Sequence, residues 1–369
     1  MGKIKRNKSK HELMIAVALV AAIFGVMWYV APWRDKRVAP VVKAPEVVRV
    51  RRALDGVMVE KGKESPPIAG VMIENMVEAQ PLSGVADASL VFEAVTEANI
   101  TRFLAYFILD AGGPSFAIGP VRSARPYYLD WASEFDTLYA HVGSAPAAYE
   151  LLRKKGVDGV HDLDQWYNSQ YFTRVTNRFA PHNVYTNTEL LAKAYEAVLT
   201  PTTPNPSSGR RGNEAVSSPF EGEVRRGLSP WQFKNDASPD LRGNVTDIAV
   251  GYTAPYNVKW KYDVQKNQYG RLQWAGMHKD ANGKEIIAKN IAVAFEEMKV
   301  LDDMGRKEFT TIGEGKGLVF QDGRVVVGTW KKAASRERMR FYDGQGNEVA
   351  FNAGVTWIEI VPKGYEVKY

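Results

Sequence analysis

An uncharged run of eighteen residues, Leu13 to Val30, follows a tail holding Lys3, Lys5, Arg6, Lys8 and Lys10, and no other feature limits the chain as much. At about 1.5 Å per residue such a run covers roughly 27 Å as a helix, enough for a bilayer core of about 30 Å with local thinning. Trp28, Tyr29 and Trp33 stand at its far end, where interfacial aromatics belong. A cleaved signal peptide has a shorter apolar region that ends at small residues, whereas this run ends in Met27-Trp28-Tyr29, so the sequence predicts an uncleaved anchor. The basic tail predicts that residues 1–12 are cytoplasmic, that 13–33 cross the membrane, and that the folded part lies outside the cytoplasm. Arg34, Lys36 and Arg37 beyond the span reduce that asymmetry.

The formal net charge of +6 invites a nucleic-acid partner, yet five of those charges lie in the tail and leave about +1 for everything after residue 11. No nucleic acid is expected. The chain has no cysteine, which excludes disulfides, thiolate metal sites, cysteine nucleophiles and an acylated lipoprotein anchor together. Its 369 residues suit about two domains of roughly 100–200 residues each.

Residues 34–67 are rich in Val, Pro, Lys and Arg without sustained periodicity and predict a stalk. From Ile68 to residue 200, short apolar runs (68–73, 89–95, 103–109, 138–142) alternate with helical spacing at 126–135 and 146–155, an α/β pattern. Pro126 and Pro146 each suit a first helical position after a strand, and Gly156 after Lys154-Lys155 suits a helix end. Residues 201–240 turn to Pro, Ser, Gly and Arg, with Arg210-Arg211-Gly212 recurring as Arg225-Arg226-Gly227, and predict a flexible insertion. Residues 241–369 predict a mostly β domain with turns at Asn282-Gly283, Asp322-Gly323 and Asp343-Gly344; Leu318–Phe320 and Val325–Trp330 give the clearest hairpin. The expected fold class is thus an α/β domain and a mostly β domain after one transmembrane helix.

The segments Ala79-Gln80-Pro81-Leu82-Ser83-Gly84, Ile100-Thr101-Arg102-Phe103 and Ile118-Gly119-Pro120-Val121-Arg122-Ser123-Ala124-Arg125-Pro126 resemble the N-terminal domain of the YerB-like family, a domain of unknown function often found in lipoproteins. Tyr269-Gly270-Arg271, Ala288-Lys289-Asn290-Ile291, Gly328-Thr329-Trp330-Lys331-Lys332 and Thr356-Trp357-Ile358-Glu359 resemble its C-terminal half. The resemblance spans roughly residues 66–365 apart from the insertion. It implies architecture and a place at a membrane, and no reaction. A weaker similarity in order links the arginine loop and the following Tyr139–Ala148 segment to the LytR-CpsA-Psr phosphotransferases; those carry an acidic residue directly after the loop arginine, where this chain has Ser123 and Pro126.

Arg122 and Arg125, with Ser123 between them, stand before a helix whose free N–H groups and two guanidinium groups suit a phosphate or carboxylate. Arg102 and Arg178 are expected to join them. The competing reading pairs these arginines with Glu93, Glu97 or Asp130, and Glu93, flanked by apolar residues, needs a partner for which Arg102 is the nearest choice. Glu93 and Glu97 also suit general acid and base work. His141 and Ser144 complete the ligand-binding set, although Pro146 two residues after Ser144 does not fit a nucleophile elbow. His161-Asp162-Leu163-Asp164 reads as a polar turn, and no metal is expected. Trp260, Trp274, Trp330 and Trp357 read as core or as sugar platforms. No P-loop or dinucleotide fingerprint is present and no cofactor is implied. Together these features predict an envelope protein that binds an anionic, phosphate-bearing ligand or a partner through its first domain. The alternative is a phosphotransferase or hydrolase acting on a lipid-linked or wall polymer.

Overall fold

The computed structural model describes residues 5–30, 47–110, 113–199, 229–274 and 276–369. They fall into two units, Met1–Val47 and Val48–Tyr369. In the first, helix α1 (Lys5–Val30) contains the stretch Lys10–Val30, which has a mean hydropathy of 2.5 and no buried share. It is long and apolar enough to cross a membrane. Trp33 and the expected stalk up to residue 46 lie outside the described residues.

The second unit begins earlier than Ile68. Strands β1 (Arg49–Arg51) and β2 (Met58–Glu60) form an antiparallel pair, and Leu54 and Asp55 between them are buried. Asp55 accepts two hydrogen bonds from Arg52, at 2.9 and 2.6 Å. Strands of three residues show no readable alternation, which is why this part looks like stalk in the sequence.

The α/β region follows: β3 (Ile68–Glu74), β4 (Leu90–Val95), β5 (Thr101–Ile108), α2 (Pro126–Ser133), β6 (Thr137–His141), α3 (Pro146–Glu150), β7 (Val160–Asp164) and α4 (Thr188–Leu199). The helical turn continues past α3 as far as Lys155, and Gly156, with φ +75°, ends it. The strand-rich region comprises β8 (Asp247–Val250), β9 (Val258–Asp263), β10 (Gln268–Gln273), β11 (Asn290–Glu296), β12 (Gly313–Gln321), β13 (Arg324–Lys332), β14 (Arg340–Asp343), β15 (Thr356–Pro362) and β16 (Val367–Lys368). The run His161–Asp164, expected as a turn, is most of β7.

The α/β and strand-rich regions follow one another as the sequence predicts, and one ten-stranded sheet runs through both in the order β14-β13-β12-β11-β15-β4-β5-β3-β6-β7. The junction is the parallel pairing of β15 with β4, from Thr356↔Leu90 to Ile360↔Ala94. Every residue of β4 and of β15 is buried, so both read as continuous rather than alternating runs. Helix α2 contributes Trp131, fully buried and stacked on Phe92 with ring centroids 5.7 Å apart. In β9 the pattern alternates instead: Val258, Trp260 and Tyr262 face inward while Lys259 and Lys261 face out. Asp322 and Gly323, both at positive φ, close the β12–β13 hairpin with Gln321 opposite Arg324.

The end of the expected insertion is also structured. Trp231 is buried and its Nε1 donates to the Met339 carbonyl at 2.7 Å, and Phe233–Lys234 pairs with Phe351–Asn352. Two aromatic anchors in a polar stretch are enough to tie it down. Residues 200–228, with both Arg-Arg-Gly repeats, lie outside the described residues.

Candidate functional site

Strands β3, β6 and β7 run parallel to one another, so their carboxyl ends share one edge, the edge at which open α/β sheets hold ligands. Each ends in a titratable residue: Glu74, His141 and Asp164. Glu74 meets Arg122 (Oε1 to Nε 3.1 Å) and His182 (Oε2 to Nδ1 2.8 Å). Asp164 Oδ1 accepts the Gly143 and Trp166 backbone N–H groups at 3.0 and 3.1 Å. His141 has Nδ1 on the Gly143 carbonyl at 2.8 Å and Nε2 on Asp162 Oδ1 at 2.7 Å. Both of its ring nitrogens therefore face acceptor oxygens.

The arginine loop lies against the loop after β6. Val142 N–H donates to the Arg122 carbonyl, Ala124 N–H to that of Gly143, and Ala145 N–H to that of Ala124, at 3.0–3.1 Å. The loop's guanidinium groups are turned to protein partners. Arg125 clamps Glu97 with two 2.7 Å hydrogen bonds and also reaches the Ala124 carbonyl at 2.8 Å. Arg102, buried, donates to the Ser123 carbonyl at 2.7 Å. Burial and then the charges of Arg125 and Arg122 push the Arg102 guanidinium down to about 10. For Glu97, burial pushes upward, but the Arg125 hydrogen bonds and charge outweigh it and hold the carboxyl below its ordinary range.

Two expected partners are corrected. Arg178 does not join the loop; it donates to the Ala79 and Pro81 carbonyls at 2.5 and 2.8 Å. Glu93 does not pair with Arg102. In the β4–β5 register Arg102 stands opposite Ala94, which places it on the other face of the sheet from Glu93. Glu93 is fully buried and paired with Arg271 instead, and it has no access to a ligand at the loop. The anion cradle expected from Arg122, Ser123 and Arg125 is thus a set of matched charges. The histidine and carboxylates of 161–164 diverge as well, His161 going to Asp136 at 3.0 Å.

What the edge leaves open lies beside Ser144. A cleft of about 570 Å³ is lined by the loops after β6 and β7 and by α3. Ser144, Tyr149, Lys154, Trp166 and Tyr167 face it. Trp166 is 70% exposed, Tyr167 59% and Tyr149 42%. Gly143, at φ +62°, lets the loop pass under the indole: a Cβ there would stand 3.0 Å from Trp166 Nε1. Arg153 covers one face of the Tyr167 ring at 3.8 Å from its centroid, held by Asp162 at 3.1 Å. The sequence reading named Ser144 among its candidates, took Asp164 only as part of a polar turn, and did not name Glu74 or the three aromatic residues. The available signal was an adjacent Trp-Tyr pair in a polar turn after a strand. Of the tryptophans it did weigh, Trp260, Trp330 and Trp357 are buried in the core, whereas Trp274 is 38% exposed and packs edge-on against the His278 ring at 5.3 Å.

Two family models match this chain: the "Protein of unknown function (DUF3048) N-terminal domain" over residues 54–199 and the corresponding C-terminal domain over 248–358. A Bacillus subtilis (strain 168) protein described as "Putative lipoprotein YerB" is 30% identical over 278 residues, 74% of this chain and 75% of that protein. The crystal structure of the YerB protein from Bacillus subtilis matches with a TM-score of 0.68 at 26% identity, covering 87% of this chain and 100% of that one. None of these matches is to a LytR-CpsA-Psr enzyme.

Proposed function

The chain belongs to the DUF3048 family through both its N-terminal and its C-terminal domain, and from that premise we propose an envelope protein, held on a membrane by its N-terminal helix, that binds a ligand in the Ser144 cleft outside the cytoplasm. The observation that carries the binding reading is the open cleft at the carboxyl ends of β6 and β7, whose walls keep three aromatic side chains in solvent. Attachment is supported by α1 and by a relative described as a lipoprotein, since a lipid and a helix serve the same end. The outward side is supported by the basic tail. Binding fits the site better than phosphotransfer or hydrolysis, because His141 has both nitrogens on Gly143 and Asp162 and neither on Ser144.

The absence of cysteine makes a direct test simple, as any introduced thiol stands alone. Met304→Cys reports the surface, since Met304 is 75% exposed, and Ser144→Cys reports the cleft. Both should react with a membrane-impermeant maleimide in intact cells. Reaction only after lysis would reverse the orientation, and a thiol at 144 that stays inert while the one at 304 reacts would show the cleft to be closed.

A further inference from the structure

We propose that the occupant of the Ser144 cleft is a saccharide chain, its rings stacking on Trp166 and Tyr167 and its hydroxyls meeting Ser144, Glu150 and Lys154; the inference rests on the binding reading above and names its ligand class. Apolar side chains are left in water where something else covers them, and here the exposed ones at the cleft are three aromatic side chains and Pro146. A flat ring with an apolar face and a polar rim suits a partner built the same way. Pyranose rings present a C–H face and an edge of hydroxyl groups.

The alternatives fit less well. A peptide helix or strand docking by hydrophobic contact needs aliphatic walls, and Pro146 is the one aliphatic side chain lining the cleft among the described residues. A phosphate or single-stranded nucleic acid also stacks or binds in such places, but wants a surplus of cations. The lining has one, Lys154, against Glu150 and Asp164. The nearby Arg153 is held by Asp162. Lys154 and Glu150, both exposed on the α3 side and the latter with Oε1 3.3 Å from Lys155 Nζ, provide a donor and an acceptor that match the mixed hydrogen bonding of sugar hydroxyls. The backing is rigid: Asp164, 3% exposed, fixes the amides of Gly143 and Trp166, so the Trp166 backbone is set before any ligand arrives.

The test uses the full chain in detergent micelles with calorimetric titration of four probes: a chito-oligosaccharide of four residues, cellotetraose, an eight-residue oligothymidylate and inorganic phosphate. Wild type is expected to bind one or both oligosaccharides. Trp166→Ala should weaken that binding at least about tenfold with an unchanged thermal midpoint, since the side chain is mostly in solvent, while Trp166→Phe should retain most of it. Binding of the oligonucleotide or of phosphate that Trp166→Ala abolishes, with no oligosaccharide bound, would overturn the saccharide assignment and keep the cleft as a site. Oligosaccharide binding indifferent to Trp166→Ala would place the ligand elsewhere and overturn the proposal. No probe bound in a Trp166-dependent way would overturn both the saccharide and the cleft.

Discussion

Arg271 places Nη2 2.9 Å from each carboxylate oxygen of Glu93, with both side chains fully buried, and so ties β10 of the strand-rich region to β4 of the α/β region. The pair does not stand alone. Trp357 Nε1 donates to Glu93 at 3.1 Å, and Arg271 donates onward to Gln273 and to His278 Nδ1. Burial and then the charge of Arg271 hold the His278 imidazole well below its ordinary range, so it stays neutral, accepts from Arg271 and donates from Nε2 to Gln80 at 3.2 Å. The Gln80-Pro81 motif of the first region and the Tyr269-Gly270-Arg271 motif of the second therefore belong to one buried network.

Breaking that pair from one side strands a charge. Arg271→Met should cost about 3–5 kcal/mol and Glu93→Gln a similar amount. The double substitution should recover a large part of the loss, because no buried charge is then left alone. Urea unfolding of the full chain in detergent reads this, and a single transition in every variant is expected because the sheet is continuous through both regions. Additive losses in the double variant would show that the two residues act independently.

Glu359 gives the network a pH dependence. Burial first, then the neighbouring Glu93, push its carboxyl up to about 8, against the opposing pull of Arg271. It accepts hydrogen bonds from Trp260 Nε1 at 2.8 Å and Tyr252 Oη at 3.0 Å. A raised folded value means that the native state binds the proton more tightly than the unfolded chain. The associated stability is complete below the ordinary value of 4.5 and is lost as pH rises toward about 8. Wild type should therefore show a falling urea midpoint between pH 5.5 and 8.5, and Glu359→Gln, which imitates the neutral acid, should show a flatter profile there. Parallel profiles for the two proteins would assign the slope to other groups.

Gly84 and Gly283 share a φ of +83°, but their surroundings differ. A Cβ at Gly84 would lie 2.7 Å from the Ala117 carbonyl oxygen, whereas one at Gly283 would meet nothing within 4 Å. Gly283→Ala should cost about 1 kcal/mol, the left-handed backbone alone. Gly84→Ala should cost at least about 1 kcal/mol more, because the carbonyl belongs to a backbone held by the Ser83–Gly119 bridge and cannot yield cheaply. Thermal midpoints of the two variants separate the terms, and equal losses would mean that the Ala117 backbone moves aside.

Strands β3 to β6 of the central sheet were legible because strands buried on both faces read as continuous apolar runs, as at residues 68–73 and 89–95, and the β12–β13 hairpin announced itself through Asp322-Gly323, whereas the polar β7 looked like a turn. Pairing was not legible. Periodicity says which face of a strand is apolar and nothing about which strand lies beside it, so the β15–β4 junction was invisible. The same blindness sent Glu93 to Arg102, nine residues away, when its partner stands 178 residues along the chain. At the candidate site the charged residues drew attention by type, whereas their pairing removed them from it. Trp166-Tyr167 escaped because an aromatic pair in a turn looks the same in sequence whether it packs inward or stands in solvent.

The arginine loop offers a last test of that pairing, and its two ion pairs should answer differently. Glu74 is 3% exposed in its side chain, so Arg122→Ala leaves a buried carboxylate with His182 alone and should cost about 3 kcal/mol. Glu97 is 25% exposed, so Arg125→Ala should cost about 1 kcal/mol, since water replaces part of what the guanidinium supplied. The pH response carries a sign as well. Because Arg125 holds the Glu97 carboxyl below its ordinary value of 4.5, that pair's stability is present above 4.5 and is lost as pH falls through the depressed value. Arg125→Ala should therefore lose less stability than wild type on acidification below about 4.5. Adding Glu74→Gln to Arg122→Ala should restore part of the larger loss, which identifies the stranded carboxylate as its cause. If both arginines can be removed with no change in the unfolding midpoint, their charges are not committed to Glu74 and Glu97, and a phosphate-bearing ligand at the loop becomes the better account of why two arginines stand there.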